Sequence, residues 1–271
     1  DLQWTQELRL ASTGDGPFKW QLGGMYFDSR DVTDFYQRTY FLTTAARDPN
    51  NWVRLHNVNT SWALFGQASY DVTPEFTITA GARVTEDTKE TTLARARPTY
   101  PAAFRTYVKL SDTKPSWDVS ALYKVNPDFS VYARVAQGFR GPTIQGRSAV
   151  FNSDFTTADS ETILSWEAGF KSQIGNSLRF NATGFYYTVN DIQLNGNDSN
   201  GNGVLFNANK ARAYGIEAEL EWHPVQNLAI SAGASWLNTK IKDNRVYAQT
   251  CGLNGVMVCT VYDPFVTRTV F

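Results

Sequence analysis

The chain has 271 residues and a net charge of −1, so its field draws it neither to nucleic acid nor to an anionic surface. Apolar residues make up 42% and charged residues 19%, with 8 Trp, 13 Tyr and 17 Phe. No apolar run approaches the roughly 18 residues of a membrane-spanning helix, but alternating membrane strands hide from that test.

A strand opens the chain. Trp4, Gln6, Leu8 and Leu10 make one face, and Thr5, Glu7 and Arg9 the other. Gly14-Asp15-Gly16 is a tight turn. The return strand alternates Phe18, Trp20, Leu22, Gly24 and Tyr26 with Lys19, Gln21, Gly23 and Met25. A long polar connection is expected over about 31–57, part of it extending the strands. The next hairpin places Trp62, Leu64, Gly66, Ala68 and Tyr70 opposite Phe76, Ile78, Ala80, Ala82 and Val84, around Thr73-Pro74-Glu75. A second connection is expected over about 93–111.

Trp117, Val119, Ala121, Tyr123 and Val125 then face Phe129, Val131, Ala133 and Val135 across Asn126-Pro127-Asp128. A third connection spans about 139–160. The strand with Leu164, Trp166, Ala168 and Phe170 turns at Gly175-Asn176 into Ser177 to Gln193, where Leu178, Phe180, Ala182, Gly184 and Tyr186 share the uncharged face. A Gly/Asn/Asp-rich loop covers 195–203. The final hairpin sets Tyr214, Ile216, Ala218, Leu220 and Trp222 against Leu228, Ile230, Ala232, Ala234 and Trp236. From about Lys240 the chain reads as loop.

A side-chain period of two over ten long strands, with short and long connections in turn, predicts an all-β, antiparallel, up-and-down transmembrane β-barrel. Aromatics recur at strand ends on the apolar face, as interfacial girdles do. The other faces hold Glu7, Arg9, Arg83, Asp118, Lys124, Arg134, Glu167, Lys171 and Arg179, with Glu217, Glu219 and Glu221 as an acidic stripe. Such charges need a wet or plugged lumen, since each unpaired charge in a dry core costs several kcal/mol. The acidic stripe is read as pairing with Arg or Lys on neighbouring strands or on a plug, the alternative being contact with substrate. The alternative is a soluble β-sandwich or β-solenoid; sandwiches also alternate, but rarely need Trp on the buried face of nearly every strand.

Several segments match a family. They are Trp4 to Leu10, the run Val131-Tyr132-Ala133-Arg134-Val135-Ala136-Gln137-Gly138-Phe139-Arg140-Gly141-Pro142-Thr143, Glu161 to Lys171, and Ala213 to Leu220. On these the chain resembles the β-barrel of TonB-dependent outer-membrane receptors. The resemblance implies a 22-stranded barrel, closed by an N-terminal plug with an upstream TonB box. Neither the plug nor the box is visible, and Val266 to Val270 makes a poor last strand. The whole of 1–271 is therefore read as part of the barrel, about ten strands of it, expected as an open curved sheet with two unpaired edges.

The function implied is TonB-energised import of a scarce ligand across the Gram-negative outer membrane. Family frequency favours a ferric siderophore. The implied partners are outer-membrane lipid, TonB through the N-terminal region, and that ligand, with no nucleic acid. The alternatives are a passive porin-like channel and a soluble β-rich binding protein. No catalytic motif appears, and no cofactor or metal is expected.

Candidate sites remain. Arg38, Arg47, Trp52, Arg54 and His56 in the first connection suit an anionic, ring-bearing ligand, or form a solvated loop. Arg140, in Gly138 to Pro142, either shapes the extracellular mouth or belongs to a stop set by Pro142. Asp198, Asn200 and Asn202 resemble the first half of a calcium loop, but Asn209 stands where its bidentate Glu would fall. The alternative is a flexible polar hairpin loop. Cys251 and Cys259 form either a disulfide or two free thiols, with the disulfide favoured.

Overall fold

The chain is described by a computed structural model. It describes residues 1–37, 51–96, 100–151, 153–197 and 203–243, and the strands at 247–250 and 266–269. Ten strands make one antiparallel sheet. In order they are β1 (Leu2–Ala11), β2 (Phe18–Gln37), β3 (Asn51–Asp71), β4 (Phe76–Ala96), β5 (Tyr107–Asn126), β6 (Phe129–Arg140), β9 (Glu161–Ile174), β10 (Leu178–Asn197), β11 (Gly203–Val225) and β12 (Leu228–Ile241). Between β6 and β9 lie β7 (Thr143–Gln145), a 3₁₀ turn (Arg147–Phe151) and β8 (Thr156–Ala158). β7 pairs with β8 alone.

Each strand pairs with its neighbour in sequence across the insert, so the topology is up-and-down. β1 and β12 are the edges of an open sheet. The register keeps like faces together: Leu178 opposes Trp222, Phe180 opposes Leu220, Gly184 opposes Ile216 and Tyr186 opposes Tyr214. A one-residue slip would turn every one of these side chains to the other face.

The apolar face is exposed. Leu8 is 71% accessible, and Leu22, Leu64, Trp166, Ile216 and Trp236 all exceed half. A continuous apolar surface of this kind is suited to lipid, not water. Aromatics bound it at two heights. Toward the long connections, Trp4, Tyr26 and Trp62 run in succession, Trp4 and Tyr26 with ring centroids 5.3 Å apart. Trp166, Tyr186, Tyr214 and Trp236 continue the row, with Tyr214 and Trp236 at 5.6 Å. Toward the short turns, Tyr70, Tyr123 and Trp222 make the second row. Trp62 to Tyr70 and Tyr214 to Trp222 are each eight residues apart. At about 3.3 Å per residue that is roughly 26 Å along a strand, or about 20 Å of height at a tilt of ~40°, most of the ~25 Å apolar band of an outer-membrane barrel.

The strands outrun this band, which corrects the expected connections. β2 continues to Gln37 and β3 begins at Asn51, so Asp31–Gln37 and Asn51–Asn57 are ladder, not loop. β4 likewise reaches Ala96, and β5 starts at Tyr107. The stretch beyond Lys240 also holds strand: β13 (Tyr247–Thr250) pairs with β14 (Val266–Thr269), apart from the main sheet. Gly175 turns β9 into β10 with φ of +59°, a left-handed conformation that glycine adopts without steric cost.

Candidate functional site

The inner face of the sheet carries the charges, and the segment between β6 and β9 folds across its upper part. β6 ends where a side chain no longer fits: a Cβ on Gly141 would lie 2.5 Å from Asp87 Oδ2. Pro142 has no N–H to continue the ladder. The chain therefore leaves the sheet and turns inward.

One side of the insert is apolar. Ala149, Val150 and Phe155 pack with Val53 and Leu55 of β3 and Val108 of β5, all buried. Phe35, Leu93, Leu110 and Ile144 surround them. Gly146 sits against Leu55, whose Cδ1 would be 2.6 Å from an added Cβ. Val53 and Leu55 point inward because they alternate with the outward row that includes Trp62 and Leu64.

The other side is polar and meets β10 and β11. Ser148 Oγ donates to the Gly203 carbonyl at 2.6 Å, and Leu205 N–H donates to Thr156 Oγ1 at 3.0 Å. Thr143 Oγ1 donates to Gln193 Oε1 at 2.8 Å, and Gln193 Nε2 donates to the carbonyls of Gly141 and Asp159. Asn207 Nδ2 donates to the Asp159 carbonyl, while Asp159 N–H donates to Asn207 Oδ1. The insert thus bridges the concave face from β3 to β11, apolar at one end and hydrogen-bonded at the other.

Its base is held by Arg105, whose N–H and Nε each donate to Asp154 at 3.0 Å and whose guanidinium also reaches the Phe155 carbonyl. Burial pushes the Asp154 carboxyl up. The hydrogen bonds from Arg105 and Phe155 N–H outweigh it and leave the group below its ordinary value. Burial pushes the neighbouring Tyr100 phenol up, and the charge of Asp154 adds to this.

Below the insert the inner wall is charged in both signs. Arg83 lies over the Phe65 ring at 5.5 Å and donates to Thr85 Oγ1 at 2.8 Å. Asp118 pairs with Arg134 at 3.5 Å, Tyr132 donates to Glu167 at 2.8 Å, and Arg179 pairs with Glu221 at 2.9 Å. Gln21, Phe65, Arg83, Asp118 and Arg134 line a concavity of about 480 Å³. Near the short turns, Lys124, Lys171 and Arg179 line another of about 470 Å³. Of the acidic stripe, Glu221 has found the expected basic partner on the next strand. These groups suit recognition and passage of a polar solute.

The candidates from sequence separate. Trp52, Arg54 and His56 share the outward parity of Trp62, opposite to Val53 and Leu55. Arg54 is held there by two 2.7 Å hydrogen bonds to Asp34, and His56 is exposed. Arg140 has inward parity and pairs with Glu161 at 3.4 Å at the root of the insert. Arg38, Arg47, Asp198, Asn200, Asn202, Cys251 and Cys259 lie outside the described residues. The residues that seat the insert, Ser148 and Phe155 within it and Gln193 and Asn207 on β10 and β11, escaped the sequence reading. The only local signals were the Gly141-Pro142 stop and the loss of alternation after it.

Comparison with known proteins agrees with this architecture. The model of the TonB dependent receptor-like β-barrel family matches residues 1–255. The pesticin receptor of Yersinia enterocolitica is 26% identical over 234 residues, covering 86% of this chain and 32% of that protein. The crystal structure of the ferric yersiniabactin uptake receptor FyuA from Yersinia pestis superposes with a TM-score of 0.70 at 21% identity, over 88% of this chain and 35% of that one. The siderophore receptor PiuA from Acinetobacter baumannii gives 0.68 at 15% identity, over 93% and 39%. The chain spans about a third of the length of these relatives.

Proposed function

Because the chain belongs to the TonB-dependent receptor-like β-barrel family, we propose that it is the ligand-admitting part of a receptor that imports a scarce solute with energy from TonB. The barrel sits in the Gram-negative outer membrane. Its relatives are receptors and transporters, which supports a non-enzymatic role. The observation that carries the proposal is the folded insert lying across a charged inner wall, which supports a selective chamber rather than an open pore. The rest of a 22-stranded barrel, the plug and the TonB box are proposed to lie in the remainder of the protein.

We propose a ferric siderophore as the ligand. Relatives named for ferric yersiniabactin uptake and as a siderophore receptor support this class. So does an inner wall where Arg83, Phe65 and Arg134 offer cations and a ring to an anionic, aromatic chelate. Ligand contact is proposed on this wall and beside Arg140, with Arg38 and Arg47 as further contacts. Trp52, Arg54 and His56 fit contact less well, because they share the outward face.

Growth under iron limitation, with and without the full-length gene and in a strain lacking TonB, tests the reading. Siderophore-dependent growth should need both. Growth that needs the gene but not TonB would replace the receptor by a passive channel. Growth that needs neither would remove iron as cargo.

A further inference from the structure

The inner wall carries cations at two levels, and they differ in whether a neighbour answers them. In the middle of the wall, Arg134 pairs with Asp118 at 3.5 Å and Arg83 lies over the Phe65 ring at 5.5 Å. Toward the short turns, Lys124, Lys171 and Arg179 share the concavity of about 470 Å³. Lys124 and Lys171 both oppose Ser130, one from β5 and the other from β9. Two ladder steps separate them, about 10 Å. Asn181 opposes Lys171 from β10, and Arg179 lies two residues away on the same strand. All three cations have inward parity, opposite to Tyr123, Phe170 and Phe180.

Arg179 has Glu221 at 2.9 Å. Among the described residues Lys124 and Lys171 are in no ion pair; Asp128, in the turn between β5 and β6, lines the same concavity without pairing with either. Two unanswered ammonium groups facing one space repel each other and attract an anion into it. The volume falls within the roughly 300–1,000 Å³ of small-molecule sites, so it admits a solute with several charged groups. The residue types also differ between the levels. A planar Arg fork grips an anion in fixed geometry, whereas a Lys ammonium is a hydrated point charge on a flexible stem. Lysines therefore suit a site that must let its occupant go. Short turns face the periplasm in outer-membrane barrels, which puts this concavity on the exit side.

We propose that Lys124 and Lys171, backed by Arg179, form a second anion-binding site on the periplasmic side of the passage, a role that rests on the reading of the chain as an importer of an anionic ligand. The site holds the solute after it leaves the level of Arg83 and Arg134. Its occupant carries at least two carboxylate, phenolate or sulfonate groups, spaced to meet both ammonium groups at once. Unanswered positive charge rises from the middle of the wall to the short turns, so the wall itself draws an anion inward.

The test uses the full-length receptor in detergent micelles with a thiol reporter between the two lysines, S130C. Labelling is followed by mass spectrometry on the peptide that carries position 130, so Cys251 and Cys259 do not contribute. An anionic sulfonate methanethiosulfonate and a cationic trimethylammonium one are compared, each rate divided by its rate with free cysteine. The sulfonate reagent should be favoured. K124Q/K171Q should lower the sulfonate-to-ammonium ratio at least about tenfold at low salt, while K124R/K171R keeps it within about twofold. Citrate, as a tricarboxylate probe, should slow labelling of S130C by uncharged N-ethylmaleimide at least about threefold relative to sodium chloride of equal ionic strength. K124Q/K171Q should abolish that protection. A reporter with no preference for the sulfonate reagent would overturn the proposal, as when a carboxylate from elsewhere in the protein already fills the concavity. So would a thiol that neither reagent reaches, or citrate protection no better than that of sodium chloride. Iron enters none of these readouts, so the site and the receptor reading can each fail while the other stands. If the double variant does not assemble, seen as loss of heat-modifiable migration on a gel, the reagent preference and citrate protection of S130C decide alone.

Discussion

Replacing Phe155 by Ala should release the insert without unfolding the barrel. Phe155 is 1% exposed and is the largest fully buried side chain among the described residues. Its ring is enclosed by Ala149, Val150, Val53, Leu55 and Val108. Truncating a buried Phe to Ala costs about 3–5 kcal/mol, the upper end where the cavity cannot collapse. Here three of the walls stand on strands fixed by ladder hydrogen bonds, but the insert itself can shift. A cost near 3 kcal/mol follows, which is roughly a hundredfold in the local opening equilibrium. The barrel pays nothing directly, because no backbone hydrogen bond of the ten-stranded sheet involves Phe155. Hydrogen exchange read by mass spectrometry on the full-length receptor in detergent measures this. Amides in 143–158 should lose about a hundredfold in protection while those in 178–190 keep theirs. A change below about threefold in 143–158, or an equal loss in both segments, would refute the view of the insert as a separately docked unit.

Further outcomes follow from the same geometry. Gly146→Val places a branched side chain where even a Cβ meets Leu55 Cδ1 at 2.6 Å; overpacking of about 1–3 kcal/mol should lower protection in 143–158 about fivefold or more. Ala218 lies mid-band between Ala182 and Ala234 on the outward face, so Ala218→Arg should cost about 2–4 kcal/mol of folding stability in bilayers. Glu219→Gln, its inward neighbour, should cost less than about 1 kcal/mol; denaturant titration in lipid vesicles compares the two. Asp154 has its pKa lowered in the folded state, so its stabilising effect is present above the ordinary carboxylate pKa and is lost as pH falls through the lower, folded value. The insert should therefore loosen only in strong acid, by less than about 1 kcal/mol because the Arg105–Asp154 pair is partly exposed. Asp154→Asn should flatten that dependence in exchange measured against pH.

The lipid-facing surface, the strand order and the two aromatic rows were legible in the sequence, because each is a local consequence of side-chain alternation. Leu178, Phe180 and Tyr186 share a face wherever a strand lies between oil and a wet lumen. Legibility stopped where the oil stopped. Above the membrane the outward face of β2 and β3 meets water and the apolar residues Phe35, Val53 and Leu55 change to the inner face beneath the insert, so 31–37 and 51–57 lose the lipid-facing rhythm and resemble loop. That is why Trp52, Arg54 and His56 read as one ligand cluster, when pairing Arg54 with Asp34 sets them on the outward face. The insert is the extreme case. Between Gly141 and Ser160 no period exists, and each anchor lies on another strand: Leu55, Val108, Gln193, Gly203 and Asn207. The chain's local chemistry determined that there is a barrel wall and which side of it meets lipid. Where the 141–160 segment rests on that wall was decided by packing among strands distant in sequence, which no local pattern encodes.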